Sequence, residues 1–201
     1  MTDANPAALR PHDPRWLPRA AAWLDRIAGA LGDLPGGGTA AFDHIGSTSV
    51  PGLAAKPYVD LQVRIDPLPG EEPLQERLRP LGLVRSHGSR RDSPGVYADL
   101  PRGGDSRVPA DVWEKRLYIH PQQNLILHVR RTDSSWGLYT VWFRDWLREH
   151  ASARARYETT KRRLSAQNAG KSDYDDYTLA KSAFFDEVEQ EFVSWAKSRP
   201  R

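Results

Sequence analysis

The residues best suited to chemistry lie in the short segment 43–60. The segment begins Asp43-His44-Ile45-Gly46-Ser47-Thr48-Ser49 and continues through Lys56 to Asp60. A glycine followed by hydroxyl side chains forms a tight turn whose backbone N–H groups and hydroxyls can converge on an anion. Its spacing matches neither the Walker pattern nor G-x-G-x-x-G. The segment therefore predicts phosphate binding, with a purely structural turn as the alternative.

The strand predicted over 58–65 carries the next candidate groups. Its alternation puts Asp60 and Gln62 on one face and the apolar side chains on the other. Carboxylate and amide oxygens are ligands of hard cations, so these two residues are candidates for a Mg²⁺ or Mn²⁺ site. Lys56 precedes a proline and is expected to extend beside the turn, either toward a phosphate or as a surface lysine.

Three residues later in the chain are further candidates. His128 is the polar residue of a strand predicted over 125–130, and we expect it to share one cavity with Ser47 and Asp60. Arg144 and Arg148 lie one helical turn apart. They could clamp a phosphate or carboxylate, or form an ion-paired helix surface.

Composition narrows the classes of protein to consider. The 201 residues contain no cysteine, so disulfides and thiolate metal sites are excluded. The net charge of +3 comes from 29 basic and 26 acidic residues, too small an excess for a basic field. The basic cluster over 154–163 is expected to be a solvated helix face, and nucleic acid is an unlikely partner. With no apolar run near about 20 residues and no signal-like start, a cytoplasmic protein without membrane contact is expected.

The periodicities predict one domain over 1–201 of α/β or α+β class. Strands are expected at 40–45, 58–65, 115–119 and 125–130, and helices at 14–32 and 71–81. Three helices are expected after residue 134, at 136–147, 157–164 and 177–195. The grouped strands favour a mixed β-sheet with packed helices and a C-terminal helical segment. The loop 86–110 is long enough to predict a mobile or lid-like segment.

The segment 43–60 resembles the signature of the GrpB family, whose domain also occurs fused to dephospho-CoA kinase. The resemblance covers about residues 12–195. Further positions follow in family order, namely Trp16, His128, Phe143-Arg144-Asp145-Trp146, Tyr157 with Lys161, and Tyr177 with Lys181. The resemblance implies a nucleotidyltransferase-like fold.

The resemblance also implies roles for individual residues. Gly46 and Ser47 would hold a triphosphate and Asp60 would be the first metal carboxylate, whereas Gln62 departs from the pattern at the second. Catalytic roles are expected for Asp60 and His128. Ligand contacts are expected for His44, Gly46, Ser47, Thr48, Ser49, Lys56, Arg144, Arg148 and Lys181.

Two functions remain open at the level of sequence. One is binding of a nucleotide or other phosphorylated small molecule, extending to metal-dependent nucleotidyl transfer onto an unknown acceptor. The other is a non-catalytic ligand-binding or accessory module related to coenzyme A metabolism. The sequence leaves the oligomeric state unassigned.

Overall fold

A computed structural model describes residues 5–88, 93, 95–99 and 109–198. Within these residues five strands form one mixed sheet in the order β1-β2-β5-β4-β3. β2 and β5 are parallel, and the other neighbours are antiparallel. The strands are β1 (Ala41–Ile45), β2 (Val59–Ile65), β3 (Val84–Arg85), β4 (Lys115–His120) and β5 (Leu125–Arg131). The expected mixed sheet is confirmed, with the two-residue edge strand β3 in addition.

One face of the sheet is covered by α1 (Trp16–Leu31) and α2 (Glu71–Leu78). α1 begins after Asp13, whose carboxylate accepts a hydrogen bond from the Arg15 backbone N–H at 2.9 Å. Helical spacing places its apolar residues on one stripe, which packs against the apolar face of β2. This layer is the main hydrophobic core, and it leaves the polar face of β2 directed the other way.

The opposite face carries α3 (Ser135–Glu149), α4 (Ala151–Gln167), α5 (Asp175–Glu187) and α6 (Glu189–Lys197). The hydroxyl of Ser134 caps α3 by accepting a hydrogen bond from the Gly137 N–H at 3.2 Å. Aromatic side chains of these helices form a second core that includes Phe143, Trp146 and Tyr157. The polar groups of β2 therefore face a layer of helices.

The C-terminal segment contains four helices over 135–197 where the sequence predicted three. The expected helix 177–195 is divided at Val188, which has φ −99° and ψ 4° and is completely buried. An apolar residue at the break fits the same periodicity as a continuous helix, so the pattern alone did not reveal it. Among the described helices, none is long and apolar enough to cross a membrane.

The predicted lid-like segment 86–110 lies largely outside the described residues. Its described part includes 95–99, which pairs with the chain before β4 through a bridge between Ala98 and Glu114. Val96 and Asp99 in this part are buried. The mobility expected for the whole segment stays a prediction.

Candidate functional site

A cavity of about 830 Å³ lies between the polar face of the sheet and the C-terminal helices. Its lining includes the turn 46–48, Lys56, Asp60, His128 and Lys181. Ser47, Asp60 and His128 thus share one cavity, as the strand alternation predicted. Arg144 is a further predicted ligand-binding residue in its wall.

Gly46 allows the turn to pass directly beside the Asp60 carboxylate. The antiparallel register pairs Ile45 with Asp60, so the turn begins at the level of Asp60. Gly46 has φ +71° and ψ −172°, a conformation that is essentially restricted to glycine. A Cβ at this position would lie 2.5 Å from Oδ2 of Asp60. A side chain here would therefore both strain the backbone and collide with the carboxylate.

Asp60 and His128 are neighbouring side chains in the cavity, of which the first is charged and the second neutral. The parallel register of β2 and β5 sets His128 beside Gln62, on the Asp60 face. Nε2 of His128 lies 3.6 Å from Oδ1 of Asp60. Burial, together with the charge of Arg130, lowers the pKa of His128 to about 4, so the imidazole is neutral at pH 7.

The Asp60 carboxyl is ionised. Burial acts to raise its pKa, but the polar contact with His128 and the charges of Lys181 and Lys56 hold the pKa below its usual value. The cavity therefore contains one carboxylate that can accept a proton or a hydrogen bond at this point.

Lys56 and Lys181 place two ammonium groups in the same corner of the cavity. Nζ of Lys56 lies 3.2 Å from the ring centroid of Tyr174 and 5.3 Å from that of Tyr177. Nζ of Lys181 lies 5.9 Å from the Tyr177 centroid. Neither ammonium forms an ion pair with a carboxylate of the described residues. Burial, and then the charge of Lys181, lower the pKa of Lys56 to about 7.

Arg144 and Arg148 hold the backbone on either side of the turn. Nη1 of Arg144 donates to the His44 carbonyl at 3.0 Å, and Nη2 of Arg148 donates to the Ser49 carbonyl at 2.8 Å. Asp145 pairs with both guanidinium groups. Both arginines thus make a positioning contact with the backbone beside the turn. Arg148 lies outside the cavity wall, and the ligand clamp predicted for the pair stays a prediction.

Two other predicted ligand residues also lie outside the cavity wall. The register sets His44 beside Leu61, on the face opposite to Asp60, and its Nε2 lies 3.0 Å from the Thr48 hydroxyl oxygen. Ser49 is fully buried, and its hydroxyl donates to the Gly46 carbonyl at 2.5 Å. Both side chains therefore stabilise the turn 46–48 from outside the cavity.

Gln62 is committed to a buried hydrogen-bond network. Its Oε1 accepts from Nη1 of Arg130 at 2.8 Å and from the Thr140 hydroxyl at 3.1 Å. Its Nε2 donates to the Gly137 carbonyl at 3.0 Å. The side chain is completely buried and does not line the cavity, and its amide oxygen already accepts a hydrogen bond from a guanidinium group.

The side chains around Asp60 bear on whether the cavity suits the expected divalent cation. Mg²⁺ and Mn²⁺ prefer about six ligands, mostly oxygen, which proteins usually supply as one or two carboxylates together with waters and substrate phosphates. The described chain holds no group of three or more His, Asp or Glu side chains that could bind a metal ion. Asp60 is joined here by neutral His128 and by two ammonium groups. These residues do not fit the predicted Mg²⁺ or Mn²⁺ site.

Comparison with known proteins identifies the family. The model of the GrpB protein family matches residues 6–191. The chain belongs to the GrpB family. A dephospho-CoA kinase of Mycolicibacterium paratuberculosis is 30% identical over 96% of this chain and 47% of its own length. A UPF0157 protein of Streptomyces coelicolor is 33% identical over 90% of this chain and 81% of its own length.

The GrpB chain spans about half the length of the dephospho-CoA kinases that it matches. A crystal structure of GrpB from Enterococcus faecalis covers 95% of this chain and all of its own chain, with a TM-score of 0.68 and 22% identity. At this identity the likeness shows the fold, which agrees with the mixed sheet and packed helices expected from the sequence.

Sequence reasoning missed a buried charge network at the edge of the GrpB cavity. Asp99 accepts hydrogen bonds from Nε of Arg130 at 2.7 Å and from Nζ of Lys115 at 2.9 Å. The two cations face each other across the β4–β5 ladder, an arrangement that requires a carboxylate between them. A long polar loop gave no signal for the Asp99 position.

Three tyrosines of the GrpB cavity were also missed as site residues. Tyr157, Tyr174 and Tyr177 line the cavity, and the rings of Tyr174 and Tyr177 lie beside the Lys56 ammonium. The positions 174, 178, 181 and 185 recur at helical spacing, and all four line the cavity. This polar and aromatic stripe was the available sequence signal.

The basic cluster of α4 is used within the chain. Arg156 pairs with Glu187 and Glu191, and Arg162 pairs with Glu158. Lys161 is buried and donates to the Ala54 carbonyl. Arg156 and Arg162 agree with the expected solvated, ion-paired helix face, whereas Lys161 is an exception because it is buried.

Proposed function

We propose that this GrpB chain binds a phosphorylated small molecule of about nucleotide size in the central cavity. The observation that carries the proposal is the cationic corner that Lys56 and Lys181 form beside the 46–48 turn, where neither ammonium has an ion-pair partner among the described residues. Lysine ammonium groups are common partners of phosphate. An anion in this corner would be attracted by both ammonium groups at once.

The size and the lining of the cavity support an organic ligand. Its volume of about 830 Å³ lies within the range of about 300–1,000 Å³ that is usual for small-molecule sites. The wall away from the lysines includes aromatic side chains of α3 and α5, among them Trp136, Tyr139 and Phe185. Polar groups at one end and aromatic rings at the other suit a ligand with a phosphate and a ring system.

The named relatives supply a further ligand to test. Dephospho-CoA kinases contain a region similar to almost all of this chain, so dephospho-CoA joins AMP, ATP and inorganic pyrophosphate as a probe. This choice corresponds to an accessory role in coenzyme A metabolism. The role is a proposal that rests on the association between the two regions.

Isothermal titration calorimetry with these four probes tests the proposal. We expect at least one probe to bind wild type and to bind Lys56→Ala about tenfold or more weakly. Lys197→Ala, which removes an exposed lysine of α6, is the matched control and should behave as wild type. The proposal fails if none of the four probes binds wild type.

Nucleotidyl transfer is the second candidate. It is favoured by one observation, the ionised Asp60 carboxylate beside the turn and close to His128. Asp60 could orient an acceptor hydroxyl or take its proton while the hydroxyl oxygen attacks the α-phosphate of ATP and pyrophosphate leaves. Incubation with α-labelled ATP, Mg²⁺ and a metabolite extract should then transfer label in wild type and not in Asp60→Asn. Equal label in both proteins would reject this candidate.

A further inference from the structure

The charges around Asp60 are arranged for an anion rather than for a cation. Phosphate groups in proteins are neutralised either by metal ions that carboxylates hold or directly by basic side chains. Within the described residues Asp60 belongs to no group of three or more His, Asp or Glu side chains that could hold a metal ion. Lys56 and Lys181 are both close enough to influence its ionisation. A divalent cation at Asp60 would therefore meet two like charges.

Gln62, the polar neighbour of Asp60 on β2, also disfavours a cation at this position. Gln62 lies two residues from Asp60 on the same strand face, where an oxygen ligand could complete a cation site. Arg130 and Thr140 occupy its amide oxygen, and the side chain is fully buried. Releasing this oxygen would leave Arg130 without a buried partner, which costs free energy. The fold thus uses Oε1 of Gln62 as a hydrogen-bond acceptor, although a metal ion at Asp60 would need it as a ligand.

The two ammonium groups lie near each other, and no carboxylate of the described residues forms an ion pair with either of them. Both approach the ring of Tyr177, and Nζ of Lys56 lies over Tyr174. The ring faces supply a weak attraction for these cations but no negative charge. Repulsion between the two groups remains in the empty cavity, and an anion between them would remove it.

We propose that Lys56 and Lys181 neutralise the ligand phosphate directly, so that binding needs no divalent cation. This inference rests on the proposed phosphate-binding function and names the groups that perform it. Asp60 then acts as a negative neighbour that weakens anion binding and keeps the empty corner close to neutral. While Lys56 stays protonated, removal of the Asp60 charge therefore strengthens binding, whereas at a metal site the same change would abolish it.

The experiment compares Asp60→Asn with wild type in calorimetric titrations of AMP, ATP, pyrophosphate and dephospho-CoA. Each titration is performed with excess EDTA and with excess Mg²⁺. We expect wild type to bind in EDTA, Asp60→Asn to bind as tightly or up to about tenfold more tightly, and Lys56→Ala to bind about tenfold or more weakly. Lys181→Ala provides a second lysine variant, and Lys197→Ala is the control. Thermal melting establishes that each variant is folded.

The outcomes separate the two proposals. Binding that appears only with Mg²⁺, or that Asp60→Asn abolishes in a folded protein, overturns the metal-free inference and leaves the phosphate site standing. Binding in EDTA that neither folded lysine variant weakens also overturns it. Failure of wild type to bind any probe under either condition defeats the proposed function together with the inference.

Discussion

Protonation of Lys56 should make phosphate binding depend steeply on pH just above neutrality. Burial and the charge of Lys181 lower the pKa of Lys56 to about 7 in the free protein. A bound anion favours the charged ammonium and so raises that pKa. Binding above pH 7 is therefore coupled to proton uptake, and affinity falls as the pH rises.

The size of the effect follows from the protonated fraction of Lys56. With a pKa of about 7, this fraction is about one half at pH 7 and about one hundredth at pH 9. The affinity for a dianion should therefore fall by up to about 50-fold over this range, equivalent to about 2.3 kcal/mol. AMP is a suitable probe, because its phosphate has a second pKa near 6 and stays a dianion from pH 7 to 9.

Calorimetric titrations of AMP at pH 7, 8 and 9 measure this slope. Lys56→Arg is the informative variant, since a guanidinium stays charged at all three values. It should retain binding with a flat pH dependence, and Lys197→Ala should reproduce the wild-type slope. A wild-type affinity that changes by less than about twofold, or an equal slope in Lys56→Arg, would refute the reasoning.

Three further substitutions test the framework of the site through urea or thermal unfolding. Gly46→Ala should lower the free energy of unfolding by about 1–3 kcal/mol, because residue 46 has a positive φ and a Cβ there would contact Asp60. Gly38→Ala is the control and should have little effect, because there is open space around residue 38. Equal effects of the two substitutions would contradict this prediction. Gln62→Asp should lower the melting temperature, because the variant loses the buried hydrogen bonds of the amide. If Mg²⁺ restored the wild-type melting temperature, the result would support a metal site at these residues. Asp99→Asn should lower the free energy of unfolding by about 3–5 kcal/mol, because Arg130 and Lys115 would stay buried without their counter-charge. Asp33→Asn, which changes an exposed carboxylate, is the control. An equal loss of stability in the two variants would disprove the role of the network.

The sequence predicted the local geometry of the site well where it depends on a short repeat. Alternation within β2 correctly put Asp60 on the polar face, and the turn after β1 was correctly placed beside it. Both features arise within about 20 residues of chain. They therefore require no knowledge of which strands are neighbours.

The sequence could not predict features set by contacts between distant segments. Gln62 was interpreted as a metal ligand, but its use by Arg130 depends on the parallel pairing of β2 with β5. The role of Arg144 as a partner of the His44 carbonyl depends on how α3 packs beside β1. Two arginines one helical turn apart can form either a ligand clamp or a positioning contact. Only the tertiary structure shows which groups their guanidinium groups contact.

The balance of charges explains why an anion is the expected occupant. Asp99 is neutralised by Lys115 and Arg130 in a buried network, which leaves it little charge for a ligand. Lys56 and Lys181 form no such pair within the described residues, although they lie in the same cavity. Asp60 offsets part of the repulsion between these two ammonium groups, and an anion bound between them would offset more of it. A phosphorylated ligand should therefore stabilise the fold as well as fill the cavity, since it binds the native state alone.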